Sequence, residues 1–182
     1  MTHIHKDIKR VLVDEASIVA RTKELGKQIT DDYVSAGKSP YLVAVLKGAI
    51  PFMAELMKHI MIDVEMDFMA VSSYEGTRSI GDVKILKDLD RSIKGKDILL
   101  VEDIVDTGKT IDQVVQLLMN KGANGVKIVS LLDKPSRRLI NMNADYIGFE
   151  IEDAFVVGYG LDFNEKYRNL PYIGVLKDEL YK

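Results

Sequence analysis

The run Ile98-Leu-Leu-Val-Glu-Asp-Ile-Val-Asp-Thr-Gly-Lys-Thr110 constrains this chain more than any other stretch. An apolar strand-like run, Asp97–Val101, ends in two adjacent carboxylates, Glu102 and Asp103. Asp106, Thr107, Gly108, Lys109 and Thr110 follow, and a helical pattern opens at Ile111. In α/β sheets, ligands bind beyond the carboxyl ends of such strands. Ionised carboxylates only accept hydrogen bonds, so Glu102 and Asp103 suit the vicinal hydroxyls of a sugar or a hydrated magnesium ion. The helix start after Asp106 offers free backbone N–H groups and the positive end of a dipole, which suit a phosphate. Gly108 permits close backbone approach, and Thr107 and Thr110 add hydroxyl donors. One contiguous segment can therefore grip a ribose 5-phosphate at both ends.

Two rival readings fall short. Gly108-Lys109-Thr110 looks like the end of a nucleotide P-loop, but that motif needs a glycine where this chain has Asp103. A plain strand-to-helix turn with one capping Asp or Thr explains a single polar residue. It leaves Glu102, Asp103, Asp106, Thr107 and Thr110 together unexplained.

The chain of 182 residues predicts a single domain, 1–182, large enough for a real core. Its net charge of −3 gives no reason to expect nucleic acid or membrane as a partner. With no cysteine, disulfides, thiolate nucleophiles and cysteine metal sites are excluded. The first ten residues lack the apolar core of a signal peptide, and no apolar run is long enough to span a bilayer. The cytoplasm is the expected compartment. His3 and His5 form a His-x-His pair without a third ligand, so a metal role is not expected of them.

Strands are expected over Ile8–Val13, Tyr41–Leu46, Val64–Val71, Val83–Leu86, Asp97–Val101 and Val126–Leu132. Asp14 is placed to cap a helix to about Tyr33, with Ile18, Thr22, Leu25, Ile29 and Tyr33 on one face. Pro51 suits the first turn of a helix to about His59. A third helix, Thr107–Asn120, turns Ile111, Val114, Val115 and Leu118 inward and stops at Gly122. This order implies right-handed βαβ units and an α/β fold with a largely parallel sheet flanked by helices. The later strands, Tyr146–Ile151, Phe155–Val157 and Tyr172–Val175, are expected to build a smaller lobe.

Val101-Glu-Asp-Ile-Val-Asp-Thr-Gly-Lys-Thr110 resembles the phosphoribosyl-pyrophosphate (PRPP) motif of the type I phosphoribosyltransferases. Ser73-Tyr74, Lys134-Pro135 and Phe155-Val-Val-Gly-Tyr-Gly-Leu-Asp162, with Arg168 downstream, resemble further motifs of its bacterial hypoxanthine-guanine group. The resemblance runs across almost the whole chain. It implies a type I phosphoribosyltransferase fold with a hood lobe, formed from the N-terminal segment and residues after about 145. It also implies purine salvage, in which hypoxanthine or guanine becomes IMP or GMP with magnesium as cofactor.

The same resemblance distributes the site residues. Glu102 and Asp103 would hold the ribose or the magnesium shell, and Asp106 to Thr110 the 5-phosphate. Asp106 would also act as the general base. Lys47 and Gly48 would contact pyrophosphate with Arg168, whose planar fork suits phosphate oxygens. Asp162 would join Glu102 and Asp103 as a metal ligand. Ser73 and Tyr74 would sit on a lid that excludes water. Phe155 would stack on the purine, Val156 would offer backbone groups to its edge, and Lys134 would donate to the 6-oxo group. On their own, Phe155 and Val156 read as core, Lys134 as a surface lysine and Lys47-Gly48 as a plain turn. The family commonly forms dimers and tetramers, so a homo-oligomer is expected. Two alternatives stay open: a PRPP- or nucleotide-binding regulator of the same fold, and an enzyme preferring xanthine.

Overall fold

A computed structural model of the chain describes residues 4–73 and 83–181. Tyr74 and His3 lie outside the described residues, as does the segment of the expected lid after Ser73. Strand β1 (Ile8–Val13) leads into helix α1 (Glu15–Ser35), where Asp14 accepts a 2.7 Å hydrogen bond from the Ser17 N–H. That bond satisfies one of the amide groups a helix start leaves free. Ile18, Thr22, Leu25, Ile29 and Tyr33 are all buried, as their spacing predicts. Strand β2 (Tyr41–Val45) follows, then α2 (Ile50–Leu56), which tightens into a 3-10 turn over Met57–His59 where continuous helix was expected.

Strands β3 (Glu65–Ser73), β4 (Val83–Lys87), β5 (Asp97–Val105), β6 (Gly125–Asp133) and β7 (Tyr146–Glu150) complete a six-stranded sheet with β2. Its order is β4-β3-β2-β5-β6-β7, parallel throughout except for β4. Helix α3 (Lys109–Asn120) links β5 to β6. One face of the sheet packs Leu42, Leu99 and Val101 with α1 and α2. The other packs Val43, Ile98 and Leu100 with Ile111, Val114 and Leu118 of α3. Both faces of a parallel sheet are thereby covered.

Three expectations change. First, β5 does not end at Val101. It runs four residues further because β6 extends beside it to Asp133, pairing Glu102 with Ser130 and Val105 with Asp133. The backbone groups of a buried segment need partners, and the ladder supplies them. Second, Tyr146–Glu150 is no part of the small lobe. The outer edge of β6 would otherwise be unpaired, and β7 fills it in parallel register from Val129↔Tyr146 to Asp133↔Glu150. Third, α3 starts at Lys109, and Val115 is only half-buried.

The small lobe is a three-stranded antiparallel sheet, β1-β9-β8, made of β8 (Val156–Val157), β9 (Ile173–Leu176) and β1. It joins the two ends of the chain, as Ile8 pairs with Leu176. Val13, Val156, Ile173 and Val175 pack into the same cluster as α1 and α2, so this hood is continuous with the main core.

Leu25 lies at 0% exposure in that cluster. Leu25→Ala is expected to destabilise the chain by about 2–5 kcal/mol, the usual range for a buried leucine truncation. Urea unfolding should show a lower midpoint with an unchanged slope, because the cavity alters stability and not the surface exposed on unfolding.

Candidate active site

The extension of β5 places Glu102 and Asp103 on the sheet itself. Neighbours on a strand leave opposite faces, so the pair does not present one double carboxylate. Glu102 is buried, and burial, reinforced by Asp103, pushes its carboxyl well above the usual range. Asp103 lies beneath the turn after β2, where a Cβ on Gly48 would sit only 1.6 Å from its Oδ2. No other residue fits at Gly48 without displacing that carboxylate. Burial pushes Asp103 up to about 6, with the charge of Asp162 adding to it. The Ile104 N–H and the charge of Arg168 pull the other way.

Asp103, Asp162 and Arg168 therefore share one neighbourhood. Arg168 Nη2 lies 2.8 Å from Asp162 Oδ1 and 3.1 Å from Glu165 Oε1, while Nη1 donates to the Gly160 carbonyl at 2.8 Å. Glu165 also pairs with Lys47 at 2.8 Å. One carboxylate thus bridges two expected pyrophosphate cations. The Leu46–Lys47 peptide is cis. Tyr159, Asn164, Glu165 and Tyr167 all adopt positive φ, a concentration of uncommon backbone in the loop that carries Asp162.

Among the described residues, no three His, Cys, Asp or Glu side chains gather into a metal cage. The two neighbouring carboxylates of Asp103 and Asp162 still fit magnesium. It takes one or two carboxylates and completes its shell from water and ligand phosphates. Their mutual repulsion is what a cation between them would relieve.

Beyond β5, Gly108 caps α3 in the left-handed conformation, φ 84°. A side chain there would also press on Ile140 and Arg138. Neither Asp nor Thr caps this helix; Thr107 precedes the cap, and Lys109 and Thr110 stand exposed in its first turn. The Lys109 N–H donates weakly to Thr107 Oγ1 at 3.5 Å, and the amide groups that follow it in that turn are placed for an anion.

Next to this loop is a cavity of about 470 Å³ lined by Ile104, Asp106, Lys134, Phe155, Val156 and Leu161, among others. Lys134 is buried rather than on the surface, and its Nζ donates to the Ala154 carbonyl at 2.7 Å. Burial lowers its pKa, against the charges of Asp106 and Asp153. Phe155 keeps 36% of its surface exposed, so its ring is not closed into the core. Phe163 meets its ring edge-on at 5.5 Å and Tyr181 stacks against it at 4.7 Å. The backbone of Ser73 closes β3, and Tyr74 lies outside the described residues, so the expected lid pair is not placed.

Sequence reasoning missed Arg137, Arg138, Asp153 and Tyr181. Arg138 donates to the Asp106 carbonyl at 2.5 Å and pairs with Asp133, while the Leu139 N–H donates to the Thr107 carbonyl at 3.1 Å. This segment buttresses the phosphate loop from the side. Arg137 Nε stands 2.7 Å from Asp106 Oδ1. The only available signal was the adjacent Arg137-Arg138 pair just after Lys134.

The raised Asp103 carboxyl has a consequence for stability. Its folded pKa of about 6 exceeds the ordinary 3.8, so the folded chain binds this proton more tightly than the unfolded one. Stability is then lost as pH rises from 3.8 through about 6. In metal-free protein, Asp103→Asn should raise stability at pH 7 by roughly 1–3 kcal/mol and flatten that fall. Denaturant unfolding across this pH range checks it; an unchanged slope would count against the burial of this charge.

The chain is similar in sequence and fold to known proteins. A family model described as phosphoribosyl transferase domain matches residues 12–164. The hypoxanthine-guanine phosphoribosyltransferase of Streptococcus thermophilus (strain CNRZ 1066) is 55% identical over 179 residues, spanning 98% of each chain. The crystal structure of a hypoxanthine phosphoribosyltransferase from Staphylococcus aureus superimposes with a TM-score of 0.92 at 51% identity, covering 98% of this chain and 96% of that one. The Trypanosoma cruzi hypoxanthine phosphoribosyltransferase, solved in complex with the product IMP, gives a TM-score of 0.92 at 40% identity, covering 98% and 100%. With the fold, the acid strand and these relatives in agreement, this chain belongs to the phosphoribosyltransferase family, in its hypoxanthine-guanine group.

Proposed function

We propose that this chain transfers the 5-phosphoribosyl group of PRPP to hypoxanthine or guanine, giving IMP or GMP and pyrophosphate. The observation that carries this reading is the single cavity shared by Asp106, Lys134 and Phe155 beside the phosphate loop at the start of α3. A phosphate gripped by Asp106 to Thr110 sets the sugar of a bound PRPP between that loop and the acids of β5. The purine then lies in the cavity. Phe155 offers an aromatic surface to its ring, and Val156 offers backbone groups to its edge. Lys134 supplies donors and no acceptor, which favours a 6-oxo group over a 6-amino group.

In the reaction, N9 of the purine forms a bond to the anomeric carbon while the carbon–oxygen bond to pyrophosphate breaks. The electron pair leaves with pyrophosphate, and the purine loses the proton on N7. The carbon passes through an oxocarbenium-like state, as at other glycosidic centres. Asp106 accepts the hydrogen bond from N7 and receives or steadies its proton. Lys47 and Arg168 exchange Glu165 for pyrophosphate oxygens. Magnesium, held by Asp103 and Asp162, would neutralise charge on the leaving pyrophosphate. A Ser73-Tyr74 lid would keep water from the anomeric carbon.

The chain is proposed to act as one domain in the cytoplasm, as a homo-oligomer. Support for assembly comes from large apolar side chains left in solvent, including Met61, Leu86 and Leu139. No helix among the described residues is long and apolar enough to cross a membrane. A regulator of the same fold that binds nucleic acid would need a basic surface, and the net charge is −3.

An assay of PRPP with hypoxanthine, guanine, xanthine and adenine tests the proposal. Turnover of the first two is expected; turnover of xanthine alone, or of none, overturns it. Lys134→Gln should lower kcat/KM for hypoxanthine by about tenfold and narrow its advantage over adenine, because an amide can accept as well as donate. An unaltered base preference would remove the role of Lys134. Asp106→Asn should leave PRPP affinity within about twofold and cut kcat by roughly 10²–10⁴, the range that general acid–base groups contribute. Turnover equal to the parent would sink the assignment.

A further inference from the structure

We infer that Arg137 is a positioning residue for this reaction, holding the Asp106 carboxylate in place through its guanidinium. The inference rests on the proposed role of Asp106 at the base and extends it to a residue outside the family motif. Arg137 Nε lies 2.7 Å from Asp106 Oδ1, while its Nη1 lies 3.3 Å and 3.5 Å from the two oxygens of Asp153. Asp153 in turn stands 3.9 Å from Lys134 Nζ. The charges alternate along the cavity wall: Lys134, Asp153, Arg137, Asp106. All four residues line the same cavity.

Two observations separate this chain of charges from an ordinary surface ion pair. Exposed pairs contribute little to stability, and the Arg137 and Asp106 side chains are 45% and 39% exposed. Fold stability is therefore a poor reason for the arrangement. Asp106 Oδ1 is itself buried and has no well-aligned hydrogen-bond donor; its contact with Arg137 is an ion pair. A buried, under-satisfied carboxylate oxygen needs a compensating charge, and Arg137 is the cation placed to supply it. The guanidinium also cannot turn freely, because its other end is shared with Asp153.

The remaining groups around Asp106 do not replace Arg137. Arg138 donates to the backbone carbonyl of Asp106, not to its carboxylate. Lys134 Nζ donates to the Ala154 carbonyl at 2.7 Å. Asp153 carries the wrong sign. Arg137 therefore decides where the carboxylate sits as the purine N–H approaches. This suits a group that steadies the departing proton through a hydrogen bond. A planar fork can bridge two carboxylates at once, which a lysine ammonium does less well.

The test compares Arg137→Gln and Arg137→Lys with the parent. The first readout is the structure of the free Arg137→Gln protein. The Asp106 carboxylate is expected to leave its position, and an unmoved side chain overturns the inference whether or not the chain has the proposed activity. The second is steady-state kinetics with PRPP and hypoxanthine. Arg137→Gln should lower kcat by about 10- to 100-fold, the loss that small misplacements of a reacting group produce, with KM for PRPP changed less than about twofold. Arg137→Lys should recover part of that loss. A kcat within about twofold of the parent, or a loss that follows a lowered unfolding midpoint and is not recovered by lysine, overturns it. If the parent itself fails to turn over, the proposed function has failed, and the structural readout still decides on Arg137.

Discussion

The structure depends on the central place of β5. Hydrogen-bonded to β2 on one side and β6 on the other, it has no free edge. Its residues from Ile98 to Val101 are essentially without solvent exposure. A strand held in this way delivers whatever follows its apolar run to the carboxyl edge of the sheet, and here that is an acid on each face. Other parts of the site converge on the same edge: the β2 turn through Gly48, the Asp162–Arg168 loop through charge, and α3 through its N-terminus. Had β5 been an edge strand, water could have solvated these acids from the side.

The hood answers a second problem. A parallel sheet offers a crevice but few walls for a flat aromatic ligand. Pairing β1 with β9 and β9 with β8 brings both chain ends together and sets Phe155 and Val156 across from the sheet. The hydrogen bond from Lys134 to the Ala154 carbonyl ties the end of β6 to the residue before Phe155. One buried lysine thus links the two halves of the cavity, and removing its ammonium would loosen the hood as well as change the base.

Much of this was legible in the chain. The apolar run of β5, the helical spacing from Ile18 to Tyr33 and the cap at Asp14 follow from local periodicity and capping chemistry. What local pattern missed depends on neighbours far away in sequence. The extension of β5 needs β6 beside it, and the placement of β7 needs the open edge of β6. Lys134 reads as a surface residue until the hood covers it. Arg137 has only the weak signal of its neighbour Arg138, since its partners Asp106 and Asp153 lie 31 and 16 residues away. Family motifs carry the groups that touch ligand. The groups that hold them are found here by geometry.

The acids of β5 also show what this architecture concedes. Burial pushes both Glu102 and Asp103 upward, so the free chain holds two groups that would be better solvated. A packing solution with apolar residues at these positions would be more stable, as is often true where function retains buried charge. The penalty is confined to the free state. Ribose hydroxyls or a cation would add partners to these carboxylates, so the same burial that weakens the empty fold strengthens each interaction once water is excluded. Ligand affinity and fold stability are therefore drawn from one source, the desolvation of two neighbouring acids at the end of a strand that has nowhere else to go.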